Sequence, residues 1–375
     1  MGVLTSSQTT ALRALSHEIH SHPELAYQER HAVDAIGGFL AREGHAVERG
    51  IGKLETAFRA RVGPPGPSVA LLAEYDALPD VGHGCGHNLI AISNIGAFLN
   101  AAAAPGRLDV GIELIGTPAE ENGGGKIDLI DAGVFDKSVA VLSSHPAAQG
   151  SWGVSGTTLG VVEKLVSYRG VASHAASSPE KGRNALNAVI RLFVGLDGWR
   201  QHLDGDSRVH GIITDGGKAA NVIPSHAQAI IGLRAREKPT LDAMIDRFAE
   251  IAQGAALLTG TKVEIAEYLR YYEPLKPNPV LGDVIAGELL RLGVDAPRGQ
   301  LTTASTDLGN VSQRVPTDSI RFPVTEAPIA GHSDAMREAS ITELGHRNAL
   351  TTAEALGAAA VRIATDHVLR ERIRV

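Results

Sequence analysis

The chain has 375 residues, which is too long for one comfortable hydrophobic core and suits two domains. Its apolar content of 43% and charged content of 21% are those of an ordinary globular protein and argue against a disordered chain. The net charge of −7 argues against a nucleic-acid-binding protein, because such a protein needs a basic face to neutralise phosphates.

Three short and almost wholly apolar runs dominate the first part of the chain, at residues 69–73, 110–116 and 139–143. Continuous apolar runs of this length predict strands that are buried on both faces of a parallel sheet. An alanine-rich stretch at 88–104 predicts a helix between the first two strands. The alternation of strand and helix indicates an α/β layer architecture.

Side chains able to bind a metal follow each of these predicted strands. In open parallel sheets, sites form beyond the carboxyl ends of the strands, so we expect these side chains to meet at one edge of the sheet. They are Asp76, Cys85 and His87 after the first strand, Glu120 and Glu121 after the second, and His145 after the third.

The pattern changes from about residue 163. Strands are predicted at 163–169, 208–214, 226–235 and 262–268, and helices at 184–203 and 240–260. The order β-α-β-β-α-β is the split, ferredoxin-like arrangement, and it predicts a separate domain inserted into the first. After the proline-rich segment 274–279, α/β character resumes, and a strand near 319–322 leads to His332. We therefore expect a catalytic domain formed by 1–162 and 273–375, and an inserted domain at 163–272.

Two short motifs indicate metal-assisted hydrolysis. Cys85-Gly86-His87 offers a thiolate and an imidazole, both good ligands for zinc and similar ions, although a lone cysteine is more often a buried and inert residue. Glu120 and Glu121 leave a strand in different directions, so one carboxylate can bind a metal while its neighbour faces the substrate.

Three other sequence patterns give little or no evidence for a catalytic or binding site. Residues 122–126, Asn-Gly-Gly-Gly-Lys, lack the spacing and ending of a phosphate loop and predict only a tight turn behind Glu121. His17-Glu18-Ile19-His20 has its second histidine one position too early for the zinc-protease pattern, and we expect this segment to begin the first helix. No Gly-x-Ser-x-Gly occurs, which removes the commonest serine-hydrolase signature.

The combination of motifs resembles the M20 metallopeptidases, in particular the branch of amidohydrolases and aminoacylases that includes aminobenzoyl-glutamate hydrolases and β-alanyl-lysine type dipeptidases. The resemblance covers nearly the whole chain. The matching segments are His22-Pro23-Glu24-Leu25 with Glu29, Glu74-Tyr75-Asp76-Ala77-Leu78-Pro79, Gly82-His83-Gly84-Cys85-Gly86-His87-Asn88, Gly116-Thr117-Pro118-Ala119-Glu120-Glu121, Ser173-His174-Ala175 with Pro179 and Asn184, and Asn221-Val222-Ile223-Pro224.

The resemblance implies a zinc-exopeptidase-like catalytic domain with a mostly parallel sheet and an inserted ferredoxin-like α+β domain that acts as lid and dimerisation domain. It implies that the metal ligands are Cys85, His87, Glu121, His145 and His332, with Glu120 as general acid/base. Asp76 matches the aspartate that orients a ligand histidine. His174 would help to hold the developing oxyanion. Asn221 and Arg234 are candidate contacts to the substrate's carboxylate.

The activity implied is hydrolysis of the amide bond of an N-acyl amino acid or dipeptide-like substrate, by attack of a metal-bound hydroxide with Glu120 moving the proton. Two divalent ions per subunit are expected, with zinc favoured, and manganese, cobalt or nickel could serve in the same cage. The resemblance also implies a homodimer through the inserted domain. The segment Ser305-Thr306-Asp307 departs from the acidic-aromatic form common in relatives and leaves the acyl group and amine open.

Two alternative functions are a metal-free cysteine amidase with Cys85 as nucleophile and a catalytically silent ligand-binding relative. No apolar run reaches the roughly 18 residues that a membrane span needs, so no membrane partner is expected. The single cysteine and the lack of a signal-peptide pattern lead us to expect a cytoplasmic protein.

Overall fold

The computed structural model describes residues 4–104 and 106–374, which fall into two compact units. Unit 1 contains the described residues up to Thr157, Leu275–Thr302 and those from Thr306 onward. Unit 2 contains Thr158–Pro274 and Thr303–Ser305. Unit 2 is therefore almost continuous in sequence, while unit 1 is assembled from segments on either side of it.

The described strands, in chain order, are β1 (Val47–Arg49), β2 (Phe58–Val62), β3 (Ser68–Ala73), β4 (Gly111–Gly116), β5 (Ser138–Ala147), β6 (Gly153–Val154), β7 (Thr157–Thr158), β8 (Gly160–Arg169), β9 (Ser173–His174), β10 (Arg208–Asp215), β11 (Val222–Ile223), β12 (His226–Ala235), β13 (Lys262–Tyr272), β14 (Leu301–Thr302) and β15 (Thr317–Pro323). The α-helices are α1 (Ser6–Ser21), α2 (Arg30–Arg42), α3 (His87–Ala102), α4 (Gly125–Asp131), α5 (Ala185–Arg200), α6 (Lys238–Thr259), α7 (Pro279–Arg291), α8 (Leu308–Ser312), α9 (Asp334–Ala339), α10 (Glu343–Thr365) and α11 (His367–Arg374). Short 3₁₀ turns lie at Ile51–Lys53 and Pro179–Lys181.

The sheet of unit 1 has seven strands in the order β1-β2-β4-β3-β5-β15-β6. Its four central strands, β4, β3, β5 and β15, are parallel to one another, and the outer pairings are antiparallel. Val69 of β3 lies opposite Ile112 of β4 and Ala140 of β5. The prediction of a mostly parallel sheet is confirmed, because the three apolar runs found in the sequence are three of its four central strands.

The apolar sequence of these elements explains their position. Every residue of β3 and β4 is buried, as expected for strands covered on both faces. Nearly all residues of helix α3 are buried against the sheet and α10, and most of them are apolar. Helices α3 and α10 approach closely because position 357 is glycine: a Cβ there would lie 2.8 Å from the carbonyl oxygen of Ala97.

Unit 2 has a four-stranded antiparallel sheet in the order β10-β12-β8-β13. Helices α5 and α6 pack on it over a core of their own that includes Val166, Leu192 and Phe248. The chain order β8-α5-β10-β12-α6-β13 is the ferredoxin-like order that the sequence predicts.

The prediction that residues 17–20 begin the first helix is wrong. Helix α1 begins at Ser6, and residues 17–20 lie in its last turns. The true start is a capping box: Thr5 Oγ1 accepts a hydrogen bond from the backbone N–H of Gln8, and the Gln8 side chain accepts one from the backbone N–H of Thr5. This Thr-x-x-Gln signal is present in the sequence and marks the boundary.

In the part of the chain that the structure describes, no helix is both long enough and apolar enough to cross a membrane.

Candidate metal centre

Five predicted ligands lie together in unit 1, where the central strands of its sheet end. Cys85 stands two residues before His87, the first residue of α3. Glu121 follows β4, and His145 lies in β5. His332 lies two residues before α9, and its backbone N–H donates to the carbonyl oxygen of Gly84 at 3.0 Å. We call these five residues, Cys85, His87, Glu121, His145 and His332, the metal centre.

The local chain geometry at Gly86 brings Cys85 and His87 to the same place. Gly86 has φ +80°, a left-handed conformation that residues with a side chain rarely adopt. A Cβ at this position would lie 2.8 Å from Cγ of Pro146, the residue after His145. Glycine therefore allows both the turn before α3 and the close approach of β5.

The potential ligand atoms of the centre form two overlapping groups. Cys85 Sγ lies 3.4 Å from His145 Nε2, and with His87 these atoms all fall within 4.8 Å of one another. Glu121 Oε1 lies 3.6 Å from His332 Nε2 and 3.7 Å from His87 Nε2. Cys85, Glu121 and His332 form the second group within the same limit. Cys85 belongs to both groups, so the two groups are adjacent and share one potential ligand.

Two buried atoms of the centre fit a cation. Among the described residues, His87 Nε2 and Glu121 Oε1 make no hydrogen bond, although both atoms are shielded from solvent. A buried polar atom without a partner costs about 1–3 kcal/mol, so such atoms are normally satisfied by protein, water or an ion. An imidazole nitrogen and a carboxylate oxygen, together with a thiol and two further imidazoles, make up a donor set suited to zinc and related ions.

Asp76 holds two members of the centre in place. Its Oδ1 lies 2.9 Å from Nδ1 of His87, and its Oδ2 accepts a hydrogen bond of 3.0 Å from the backbone N–H of Glu121. Burial alone would raise the pKa of the Asp76 carboxyl, but the adjacent His87 ring and these hydrogen bonds hold that pKa below its usual value. Burial would lower the pKa of the His87 ring, but Asp76 and Cys85 raise it well above its usual value. A metal at Nε2 therefore has to displace the proton there, while Nδ1 continues to donate to Asp76.

Burial shifts the pKa values of Cys85 and His145 in opposite directions. It raises the pKa of the Cys85 thiol well above its usual value, and the charge of Glu121 adds to this shift. Burial lowers the pKa of His145 to about 4, with a further contribution from His87, so this ring is neutral at pH 7. Metal binding must therefore release the proton of Cys85, which makes metal affinity depend on pH.

Glu120 is buried beside the centre. Its carboxylate lies within 4.8 Å of the ligand atoms of His87 and Glu121. Burial raises its pKa well above the usual value, and Glu121 and other nearby carboxylates raise it further. A carboxyl group with a raised pKa accepts a proton more readily than an ordinary one, which suits proton transfer.

The turn that presents Glu120 is anchored by Glu29, which belongs to the first of the segments that match the family. Ala119, directly before Glu120, has the left-handed φ of +59°. Its backbone N–H donates to Oε1 of the fully buried Glu29 at 2.9 Å. The N-terminal segment therefore supports the conformation of the chain at Glu120.

Three other predicted site residues belong to unit 2. His174 is exposed on β9, which pairs with β11, and the carbonyl of Asn221 accepts a hydrogen bond from Ala175 N–H at 2.9 Å. Arg234 lies on β12, where it donates through Nε to His210 Nε2 at 3.3 Å and through Nη1 to Ser305 Oγ at 3.0 Å.

The sequence reasoning missed a buried lysine beside the centre. The sequence pattern indicates only a turn for the segment that ends at Lys126, and marks Asp307 only as part of a departure from the acidic-aromatic form. Lys126 Nζ lies 2.8 Å from Glu74 Oε1 and 2.6 Å from Asp307 Oδ1. The available signal was the spacing of Lys126 and Leu129, which share the buried face of α4.

Comparison with known proteins places the chain among hydrolases. A family model described as peptidase family M20/M25/M40 matches residues 70–346, a segment that includes the whole metal centre. The chain is 37% identical to a Xaa-Arg dipeptidase from Mus musculus, over 97% of this chain and 88% of that protein. It is 35% identical to one of the p-aminobenzoyl-glutamate hydrolase subunits of Escherichia coli (strain K12), over 67% of this chain and 56% of that protein.

A solved structure shares the fold. It is that of a Bacillus subtilis protein described as a dinuclear metal binding peptidase from the M20 family. The TM-score is 0.76 at 20% identity, and the match covers 96% of this chain and 99% of that chain.

Proposed function

This chain belongs to peptidase family M20/M25/M40 and is a hydrolase, and from that premise we propose that it cleaves the amide bond of a dipeptide or N-acyl amino acid with the help of two divalent metal ions. The observation that carries this proposal is the convergence of one thiol, three imidazoles and one carboxylate around the two unsatisfied atoms His87 Nε2 and Glu121 Oε1. In the proposal, the five residues of the metal centre hold the ions. Zinc is favoured by the thiolate and imidazoles, and manganese, cobalt or nickel could occupy the same site.

The two ions, when bound, would polarise the amide carbonyl and lower the pKa of the attacking water towards about 7. Glu120 accepts the proton of that water and then passes it to the nitrogen of the leaving amine. The buried position of Glu120 beside His87 and Glu121 supports this role. Asp76 keeps His87 in the tautomer that presents Nε2.

His174 is proposed to stabilise the developing oxyanion. Its Nδ1 accepts hydrogen bonds from the backbone N–H groups of Ala176 at 3.2 Å and Ser177 at 3.1 Å. The neutral ring therefore carries its proton on Nε2, which becomes a hydrogen-bond donor for the substrate oxygen. Because His174 belongs to unit 2, we propose that unit 2 acts as a lid that completes the site.

The substrate class follows from the relatives' names and from the residues of unit 2. Dipeptides with a C-terminal arginine are the first candidates, since the mouse relative is a Xaa-Arg dipeptidase over nearly the whole chain. Aminobenzoyl-glutamate and other N-acyl amino acids are the second. Both kinds of substrate carry a free carboxylate, and we propose Asn221 and Arg234 as its contacts.

A homodimer through unit 2 is part of the proposal. Strand β10 is an edge strand of its sheet, and Ile212 and Ile213 on it are 62% and 46% exposed. An exposed apolar edge strand is suited to pairing with a second copy of the same strand.

The cysteine-amidase alternative has less support. A thiol whose pKa is raised well above the usual value supplies little thiolate, and thiolate is the reactive nucleophile. Treatment with a chelator separates the two functions, because a metal-free cysteine amidase would keep its activity. A catalytically silent relative would have no use for a buried carboxylate at position 120.

The test is Glu120→Gln, compared with Glu121→Gln. The substrates are Xaa-Arg dipeptides, β-alanyl dipeptides, aminobenzoyl-glutamate and N-acetyl amino acids, with zinc, manganese and cobalt supplied in turn. We expect E120Q to lose about 10²–10⁴-fold in kcat while metal content, measured by elemental analysis, stays that of the unsubstituted enzyme. E121Q should lose metal. An E120Q enzyme with unimpaired turnover would refute the role of Glu120.

A further inference from the structure

Glu74, Lys126 and Asp307 form a buried ion-pair network next to the metal centre. Their side chains are at most 4% exposed, and the Lys126 side chain is fully buried. Asp307 binds Lys126 twice: Oδ1 lies 2.6 Å from Nζ, and Oδ2 accepts a hydrogen bond of 3.0 Å from the backbone N–H. These two residues are 181 positions apart in sequence, so the network forms only in the folded chain.

The second oxygen of Glu74 faces the metal centre. Glu74 Oε2 lies 3.7 Å from His87 Nε2, which is the same distance that separates Glu121 Oε1 from that nitrogen. Two carboxylates therefore flank the unsatisfied imidazole nitrogen at equal distance. They differ in their other contacts, because Glu74 Oε1 is held by Lys126 at 2.8 Å whereas Glu121 Oε1 has no hydrogen-bond partner among the described residues.

This difference limits how far each carboxylate can move towards an ion. Lys126 holds Glu74 through Oε1, so Oε2 cannot shift towards an ion at His87 Nε2 without straining that ion pair. A free carboxylate beside a divalent ion would bind it, because oxygen anions are good ligands for such ions. The ammonium group of Lys126 competes for Glu74, and a buried ion pair resists separation because breaking it leaves an uncompensated buried charge. Asp307 in turn fixes Lys126, so that the ammonium group cannot follow Glu74 towards the ions.

We infer that Lys126, anchored by Asp307, is a positioning residue that keeps Glu74 from binding the metal ions and thereby leaves a coordination position open for water and substrate. The inference rests on the proposed function. Catalytic metal sites need such an open position, whereas structural sites fill every position with protein ligands. An additional carboxylate on the ions would occupy that position and reduce their ability to polarise the amide carbonyl.

The test uses the charge-neutral double variant Lys126→Met/Asp307→Asn in the full chain. It removes one buried cation and one buried anion together, which limits the loss of stability. With Glu74 released, we expect zinc and manganese to bind about tenfold or more tightly, measured by competition with a chelating indicator, and kcat to fall. The visible absorption spectrum of the cobalt-substituted enzyme should change as expected when the cobalt ion gains an additional ligand. Adding Glu74→Gln should restore the affinity, the cobalt spectrum and kcat towards those of the unsubstituted enzyme.

Two further variants make the outcome decisive. Glu74→Gln alone should leave metal stoichiometry and affinity unchanged, and this variant remains informative if the double variant does not fold. Arg61→Met/Glu113→Gln is a matched control, because Arg61 Nη1 and Glu113 Oε1 form another partly buried ion pair at 2.7 Å in unit 1. Its metal affinity should not change.

The inference is overturned if the double variant binds metal no more tightly than the unsubstituted enzyme, or if Glu74→Gln alone loses an ion. Either result would mean that the network merely supports the site, or that Glu74 is itself a ligand. Failure of the proposed function looks different, since the unsubstituted protein would then bind no metal or hydrolyse none of the amides.

Discussion

Replacing Asp76 by asparagine should weaken metal binding without unfolding the protein. The two oxygens of Asp76 accept from different donors, His87 Nδ1 and the backbone N–H of Glu121. An asparagine has one oxygen, so its amide group must face one of these donors. If it faces His87, the ring has to move its proton to Nε2, which is the atom that would bind the metal. If it faces Glu121, a buried backbone N–H loses its acceptor.

The size of the effect follows from the lost bond. A hydrogen bond to a charged group contributes about 1.5–3 kcal/mol. Because about 1.4 kcal/mol corresponds to a factor of ten, we expect zinc affinity to fall about 10- to 100-fold. The assay is titration of the metal-free D76N protein with zinc against a chelating indicator, with thermal unfolding to confirm that the variant is folded.

A matched control separates this effect from general loss of a buried carboxylate. Asp318 is also buried in unit 1, and its two oxygens accept from the backbone N–H of Ser155 at 2.9 Å and from its hydroxyl at 2.7 Å. Asp318→Asn should leave zinc affinity unchanged. The reasoning is refuted if D76N binds zinc as tightly as the unsubstituted protein, or if D318N weakens binding equally.

Further expectations concern unit 2 and the pH dependence of stability. His174→Ala should lower kcat on the order of 100-fold with metal content unchanged, since an oxyanion donor is lost; equal loss of metal would contradict this role. Ile212→Lys/Ile213→Lys should convert a dimer into monomers in light scattering, and a dimer that persists would locate the interface elsewhere. Burial lowers the pKa of His346 from 6.5 to about 4, so the native state binds its proton less well than the unfolded chain. Protonation of His346 therefore does not lower the free energy of unfolding above about pH 6.5, and it lowers this free energy progressively as pH falls towards 4. His346→Gln should flatten this part of the urea-midpoint profile between pH 7 and 5, and an unchanged profile would exclude His346 as its source.

Much of the fold could be predicted from local sequence. The runs at 69–73 and 110–116 correspond to β3 and β4 to within one residue at either end, and 226–235 corresponds to β12. These predictions succeed because a strand buried on both faces needs an unbroken apolar run, and a half-buried strand needs alternation. The predicted start of α1 was wrong because His17-Glu18-Ile19-His20 is not a helix start signal, whereas the capping box at Thr5 is.

Sequence alone determined the family, the parallel sheet and the six chemically competent side chains at its carboxyl edge, because these depend on strand patterns and on motifs that are short and local. Only the tertiary structure decided how those side chains are oriented and paired. Two sets of contacts could not be predicted from the spacing of residues in the sequence. Asp76 accepts hydrogen bonds from both His87 and Glu121, and Asp307 forms an ion pair with Lys126, 181 positions away. Such contacts arise where separate elements pack, and there an ångström of displacement determines whether a buried carboxylate meets a lysine or an imidazole.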